Sequence, residues 1–277
     1  FNIHISNLKK LYTIISPEKF FLAIENQIKL PKNSCLLTFD DGLADHYNNV
    51  YPILKKHKIY GLFFPLSMPE IENKFANVHK IHLLRQKLGE EIFAEKFYSS
   101  TSKEHIKLAK DLAKQKQKLK LYKWDNEKIA LIKILANFII PYAVLDEILE
   151  SLFNENIKKN VTDFYLTDDQ IKEMYKDGHN FGAHGHEHKI FSRLTKEQQY
   201  KDISISKNYL ENILDDSVSS FCYPYGDEST FTNITISILK SLNFKAAFAS
   251  TVGQYRANDN IFSIKRFDPK NMITEKN

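Results

Sequence analysis

Apolar and polar positions follow three textures along the chain. In the first third, short apolar runs are separated by stretches with helical spacing. Leu36, Leu37 and Phe39 with Thr38 form a run suited to a strand buried on both faces of a parallel sheet. GLFFPL (61–66) is a second such run. PEKFFLAIENQI (17–28) and HYNNVYPILKKH (46–57) carry helical periodicity, with Pro17 at a first-turn position and Pro52 as an irregularity. Strand, helix and strand at this spacing predict a right-handed parallel crossover.

From about 70 to 160 the pattern is long, helical and lysine-rich. Ala109, Leu112 and Ala113 trace part of an apolar stripe, while Lys103, Lys107, Lys110, Lys114, Lys116, Lys118 and Lys120 crowd the same region. A solvated helix face accounts for this; a contact surface for anionic lipid at a membrane, or for a phosphate-bearing substrate, is the sharper alternative. After it the βα texture returns. Thr167 is placed to cap a helix over DDQIKEMYKDG, with Gln170 at the capping-box position and Gly178 as its stop. NFGAH (180–184) predicts a strand leading into GHEHKIFSRL, and KEQQYKDISISKNYLENIL (196–214) a helix. SSFCYPYG (219–226), SILKSLNF (237–244), KAAFAS (245–250) and FSIKRF (262–267) predict strand, helix, strand and a closing strand. The expected frame is one α/β, barrel-like domain over residues 1–277, interrupted by a helical insertion at about 70–160.

Bulk properties narrow the function classes. Of the 277 residues, 43% are hydrophobic and 26% charged, an ordinary balance for a soluble globular protein. The net charge of +5 comes mostly from the lysine-rich region; it argues weakly for an anionic partner, and no nucleic-acid-binding signature accompanies it. Cys35 and Cys222 each sit in an apolar run, which points to small buried residues and not to a disulfide framework or a thiolate metal site. The most apolar segment, 129–149, is broken by Lys133, Pro141 and Asp146, and its longest uncharged run, Ile134 to Leu145, is too short to span a bilayer. With no signal peptide in the given chain, which starts at Phe1 without a methionine, the expected location is the cytoplasm. The oligomeric state stays open.

Two stretches carry chemistry. In TFDDG (38–42), Asp40 and Asp41 stand side by side at the end of a buried strand, and like charges there need a positive neighbour. In GAHGHEHKI (182–190), His184 and His188 are four apart with His186 between them; on one helical turn, positions i and i+4 share a face and can converge on one ion. The zinc-protease pattern HExxH would need histidine at 190, where Ile190 stands. An Asp from one strand end and two His from another instead make a two-imidazole, one-carboxylate set with open positions, a catalytic type of site. Asp41 would bind the cation, whose charge lets Asp40 stay ionised and act as a base.

TFDDG, then G-x-H-x-x-x-H, then F-x-YPYG, in this order, resembles the polysaccharide deacetylases of the NodB-homology group, carbohydrate esterase family 4. The resemblance runs through most of the chain outside 70–160. It implies a distorted (β/α)7 barrel and metal-dependent removal of an N-acetyl group from an acetamido sugar or polysaccharide. Carried onto this sequence, Asp41, His184 and His188 would hold a divalent metal, zinc above all, with cobalt, nickel and manganese as alternatives. Asp40 would be the general base, and the main-chain N–H of Tyr225 would help to stabilise the oxyanion. Tyr223, Pro224 and Tyr225 would form the substrate-binding stretch, with the two rings either against a sugar face or in barrel packing.

Departures from the family pattern matter as well. Many members have Ser or Thr after the first metal histidine, where this chain has Gly185, so one supporting hydrogen bond is expected to be absent. Many carry Arg in the third motif, where this chain has Cys222. The FxYPYG form is similar to a subgroup acting on exported or surface polysaccharides, whose acid histidine often lies near the N-terminus. FNIH (1–4) followed by SPEKF (16–20) makes His4 the matching candidate. IKRFD resembles the late Arg-containing motif of that subgroup, which pairs Arg266 with Asp40 through a planar, permanently charged fork. DGLADHY and VHKIH are also similar to members from surface-polysaccharide gene clusters; His46, His79 and His82 read as packing or rim residues, and His186 as a neighbour of the site or a solvent-facing group. The alternatives are a deformylase or O-deacetylase on a lipid- or nucleotide-linked sugar, and an inactive sugar-binding protein on the same fold.

Overall fold

The computed structural model describes residues 1–25, 28–114, 125–256 and 258–268. Asn26 and Gln27 of the helix expected over 17–28, and Lys116, Lys118 and Lys120 of the lysine-rich stretch, lie outside the described residues. Phe1–Lys74 together with Asn160–Asn277 make one compact unit, and Phe75–Lys159 make another.

In the first unit every strand pairing is parallel. Strands β1 (Thr13–Ile14) and β2 (Ser34–Cys35) pair with each other. A second sheet has the order β3 (Thr38–Asp41), β4 (Leu62–Pro65), β5 (Asn180–Phe181), with Asp40 opposite Phe64 and Asp41 opposite Pro65. A third has the order β6 (Ser220–Cys222), β7 (Ala246–Val252), β8 (Ile264–Arg266). Just past β5, Ala183 bridges to Phe221: its N–H donates to the Ser220 carbonyl at 2.9 Å, and the Cys222 N–H donates back to Ala183 at 2.8 Å. Among the described residues no unbroken ladder closes these strands into one ring.

Strand β4 shows why its sequence is apolar without alternation. All four residues are buried; Phe63 joins a cluster with Leu54, Met174 and Phe181, whereas Leu62 and Phe64 join another with Phe20, Cys222 and Phe248. Both faces are covered, as in a parallel sheet flanked by helices.

The helices of this unit follow their local signals. Helix α1 (Asn2–Leu11) buries only Ile5, a stripe too thin for its periodicity to stand out in the sequence. Helix α2 (Pro17–Ile24) starts at Ser16, whose side chain accepts the Lys19 N–H at 3.3 Å. Where one helix was expected over 46–57, a π turn at His46–Val50 precedes α3 (Tyr51–His57). Pro52 has no N–H to donate to the turn before it, so regular α-helical bonding is interrupted there. After α4 (Met68–Glu72), the unit continues with α10 (Asp168–Lys176) and α11 (Lys196–Leu214), which both open with a full capping box, Thr167 with Gln170 and Thr195 with Gln198. Helix α12 (Asn233–Ser241) begins four residues before the predicted stretch, because Thr232 and Thr235 cap it.

Within the second unit the described segments are helical: α5 (Asn77–Leu88), α6 (Glu90–Ser99), α7 (Lys103–Lys114), α8 (Glu127–Ile134) and α9 (Tyr142–Asn156). Arg85 and Lys133 both reach Asp125, at 3.1 and 2.5 Å. Helix α7 buries only Ala109 and turns Lys103, Lys107, Lys110 and Lys114 to solvent. No described helix is long and apolar enough to cross a membrane.

Candidate active site

The chemistry gathers at the carboxyl ends of the parallel strands. Asp40 and Asp41 end β3, Arg266 ends β8, the imidazoles follow β5 and Tyr225 follows β6. Asp41 Oδ1 stands 3.4 Å from His184 Nε2 and 3.3 Å from His188 Nε2. One donor atom from each of the three residues lies within 4.8 Å of the others. A tetrahedral ion with bonds of about 2.1 Å sets its ligands about 3.4 Å apart, so this donor set fits a divalent metal. His184 is buried, and its Nδ1 lies 2.7 Å from the Cys222 carbonyl. Nδ1 therefore carries a proton and donates, which turns Nε2 toward Asp41, where it would hold either a second proton or a metal ion. Burial disfavours charge on His184, yet the neighbouring Cys222, Asp41 and Asp40 raise its pKa well above the ordinary imidazole value.

The two imidazoles do not converge through a helical turn, as the spacing alone suggests. Residues 182–190 belong to no helix, and His188 has a left-handed backbone at φ 57°. Asp41 at φ 74° and Tyr225 at φ 63° share that costly conformation. Three non-glycine residues held there in one cluster are the kind of strain that collects at functional sites.

Asp40 is gripped from the opposite side. Arg266 Nη1 donates to Oδ1 and Nη2 to Oδ2, each at 2.8 Å. The fork is itself aimed by Arg266 Nε donating to the Ala249 carbonyl at 2.8 Å and Nη1 donating to Thr38 Oγ1 at 3.1 Å. Burial pushes the Asp40 carboxyl up, but the Arg266 charge and its hydrogen bonds, helped by His184, hold it below the usual carboxylate range. At neutral pH Asp40 is an oriented, ionised acceptor beside the donor set. Cys222 is buried, and burial raises its thiol pKa.

Other expected residues fall differently. The Tyr225 ring is half-buried with its centroid 4.8 Å from that of His188, and Ser250 Oγ donates to the Tyr225 carbonyl at 2.7 Å. Tyr223 takes the packing alternative: it is 1% exposed, stacks on Phe231 at 3.8 Å and donates its hydroxyl to the Phe262 carbonyl at 2.9 Å. Strand alternation turns it into the core, and Pro224 is buried beside it. His4 is exposed, since α1 turns Ile5 inward and position 4 outward, and no contact of the described residues joins it to the cluster. His46 is buried beside the stacked Phe39 and Phe63 rings, where burial lowers its pKa to about 4. His79 is buried and His82 exposed, both on α5. Asp202, Ser67 and Glu72, which surround His186, were not singled out by any motif. Asp202 left one legible trace: a carboxylate on the stripe Gln199, Ile203, Ser206 and Leu210 that α11 buries.

These features place the chain among α/β proteins that gather their chemistry at the carboxyl ends of parallel strands. More narrowly, it belongs to the polysaccharide deacetylase family, whose sequence profile matches residues 27–126 and 148–247. YxkH of Bacillus subtilis (strain 168), assigned by name to the polysaccharide deacetylases, is 32% identical over 80 residues, 28% of this chain and 26% of that one. The match thus spans about a quarter of that relative's length. Among solved structures, the deacetylase PplD of Streptococcus pyogenes in complex with acetate superposes with a TM-score of 0.58 at 19% identity, covering 98% of this chain and 82% of the other. IcaB from Ammonifex degensii gives 0.57 at 18% identity, covering 96% and 80%. At these identities the likeness shows the fold. Members of the family generally use a divalent metal, and Asp41, His184 and His188 form a candidate ligand set.

Proposed function

We propose that this chain is a metal-dependent hydrolase that removes the N-acetyl group of an acetamido sugar or polysaccharide, in the biosynthesis of a surface polysaccharide, on a distorted (β/α)7 barrel carrying Phe75–Lys159 as an insertion. The observation that carries the reading is the pairing of two differently dressed carboxylates. Asp41 lies 3.3–3.4 Å from two imidazole nitrogens, and the adjacent Asp40 is held bidentately by Arg266. A sugar-binding protein has no use for an oriented, ionised base beside a donor set.

Asp41, His184 and His188 would hold a divalent cation, zinc above all, which would supply Lewis acidity toward the acetyl oxygen and the attacking water. Asp40 takes the proton from that water as its oxygen bonds to the acetyl carbon. Arg266 keeps Asp40 ionised and fixes its direction. The main-chain N–H of Tyr225 donates to the charge that develops on the acetyl oxygen. As the carbon–nitrogen bond breaks, the departing amine needs a proton, and Asp40, having taken one, is in place to return it. The products are acetate and a free amino sugar.

The test is to supply the purified protein with zinc or cobalt and a panel of acetamido sugars, free, nucleotide-linked and polymeric, and to assay the released acid. Acetate from at least one N-acetyl substrate is expected. Formate from N-formyl sugars without acetate would transfer the site to deformylation, and metal bound without any release would mark a binding protein.

A further inference from the structure

The loop that carries both candidate metal-binding imidazoles is held from behind by a buried carboxylate. Asp202, on α11, is 6% exposed. Its Oδ1 accepts the His186 N–H at 2.8 Å, and its Oδ2 accepts the Glu187 N–H at 3.2 Å. These amides lie on the stretch between His184 and His188, so the carboxylate sets the course of the chain that joins the two ligands. Burial raises the Asp202 carboxyl above its ordinary pKa, and the two amide donors of His186 and Glu187 oppose that shift only in part.

Gly185 explains how the carboxylate gets so close. A Cβ at this position would come to 2.7 Å of Asp202 Oδ1, and the backbone lies at φ +77°. The place where a residue-185 side chain would project is filled by Asp202. The imidazole of His186 adds a second tie: Nδ1 pairs with Ser67 Oγ and Nε2 with Glu72 Oε1, both at 2.9 Å, while Met68 N–H donates to the His186 carbonyl at 3.1 Å. His186 thus faces away from the donor set, toward the segment that follows β4.

We propose that Asp202 is a positioning residue for the metal site, its carboxylate supplying from α11 the loop support that a hydroxyl side chain on residue 185 would otherwise give. The proposal rests on the reading that Asp41, His184 and His188 hold a metal. Asn at 202 keeps the size but turns an NH2 group toward one of the two amides; Ala removes both acceptors.

The experiment measures zinc affinity by chelator competition, and melting temperature with and without zinc, for wild type, Asp202→Asn, Asp202→Ala and His184→Ala. Zinc affinity is expected to fall from wild type through Asn to Ala, by roughly 10- to 100-fold at Ala. The zinc-dependent rise in melting temperature should shrink in the same order. If Asp202 only glued the fold, the zinc-free melting temperature would drop while zinc affinity stayed within about twofold, and the proposal would be overturned. Should the Ala variant not fold, the Asn variant carries the comparison. A wild type that binds no zinc, or binds it as well as His184→Ala does, removes the metal reading itself before any substitution at 202 is considered.

Discussion

Arg266 and Asp40 meet fork to fork, with two parallel N–H···O bonds of 2.8 Å across 226 positions of sequence. A bidentate, charge-assisted pair fixes the plane of the carboxylate as well as its ionisation. Arg266→Lys keeps the charge but loses the fork, and Arg266→Ala loses both. Turnover is expected to fall in both variants, on the order of 10²-fold for Ala, with Lys less affected. Steady-state kinetics check this; an Arg266→Ala enzyme with wild-type kcat/KM would mean that the pair is ornamental.

The same pair predicts a pH effect of definite sign. Asp40 is lowered below the ordinary carboxylate value against the opposing effect of burial, so its contribution to stability is present above pH about 4 and is lost as pH falls through the lower folded value. In Arg266→Ala, burial acts without its counterweight and the pKa rises. The acid limb of kcat/KM should therefore move to higher pH in the variant. Its stability deficit relative to wild type should narrow as pH falls from the raised value in the variant down to the lowered value in wild type, as read by urea unfolding across pH. An unmoved acid limb would separate Asp40 from the rate.

Gly42, which closes TFDDG, has a steric reason. It lies at φ +70°, and a Cβ there would meet Pro65 Cβ at 2.5 Å and Pro65 Cα at 2.8 Å. Gly42→Ala should destabilise the protein by roughly 1–3 kcal/mol, measured by denaturant unfolding. A neutral substitution would show that β3 and β4 are not held at this separation.

Tyr223 supplies the contrast between core and sugar face. Its hydroxyl bonds the Phe262 carbonyl inside the unit. Tyr223→Phe should cost about 1 kcal/mol of stability and leave KM for the sugar unchanged. A raised KM at unaltered stability would return this ring to the substrate.

The sequence disclosed most where local chemistry decides the outcome. The extent of α11 over 196–214 and the capping box at Thr167 were legible because they follow from short-range patterns and bonds. The motif residues Asp40, Asp41, His184 and His188 come together because each sits at or just past a strand end. What stayed hidden depends on long-range packing. His4 turns outward because α1 buries a single side chain, and Tyr223 turns inward through the alternation of its strand. The route from His184 to His188 could not be deduced from spacing, since it is a left-handed loop tied to Asp202, a residue outside every motif.

The central claim is that Asp41, His184 and His188 share one ion while Asp40 acts on its own. Zinc content by elemental analysis, measured alongside acetate release for wild type, His188→Ala and Asp40→Asn, tests it most directly. The expected result is one zinc per chain in wild type, affinity reduced by more than about 100-fold in His188→Ala, and zinc retained in Asp40→Asn with turnover down by roughly 10²–10⁴-fold. Full zinc occupancy with His188 removed, or near-normal acetate release without the Asp40 carboxylate, would contradict the account.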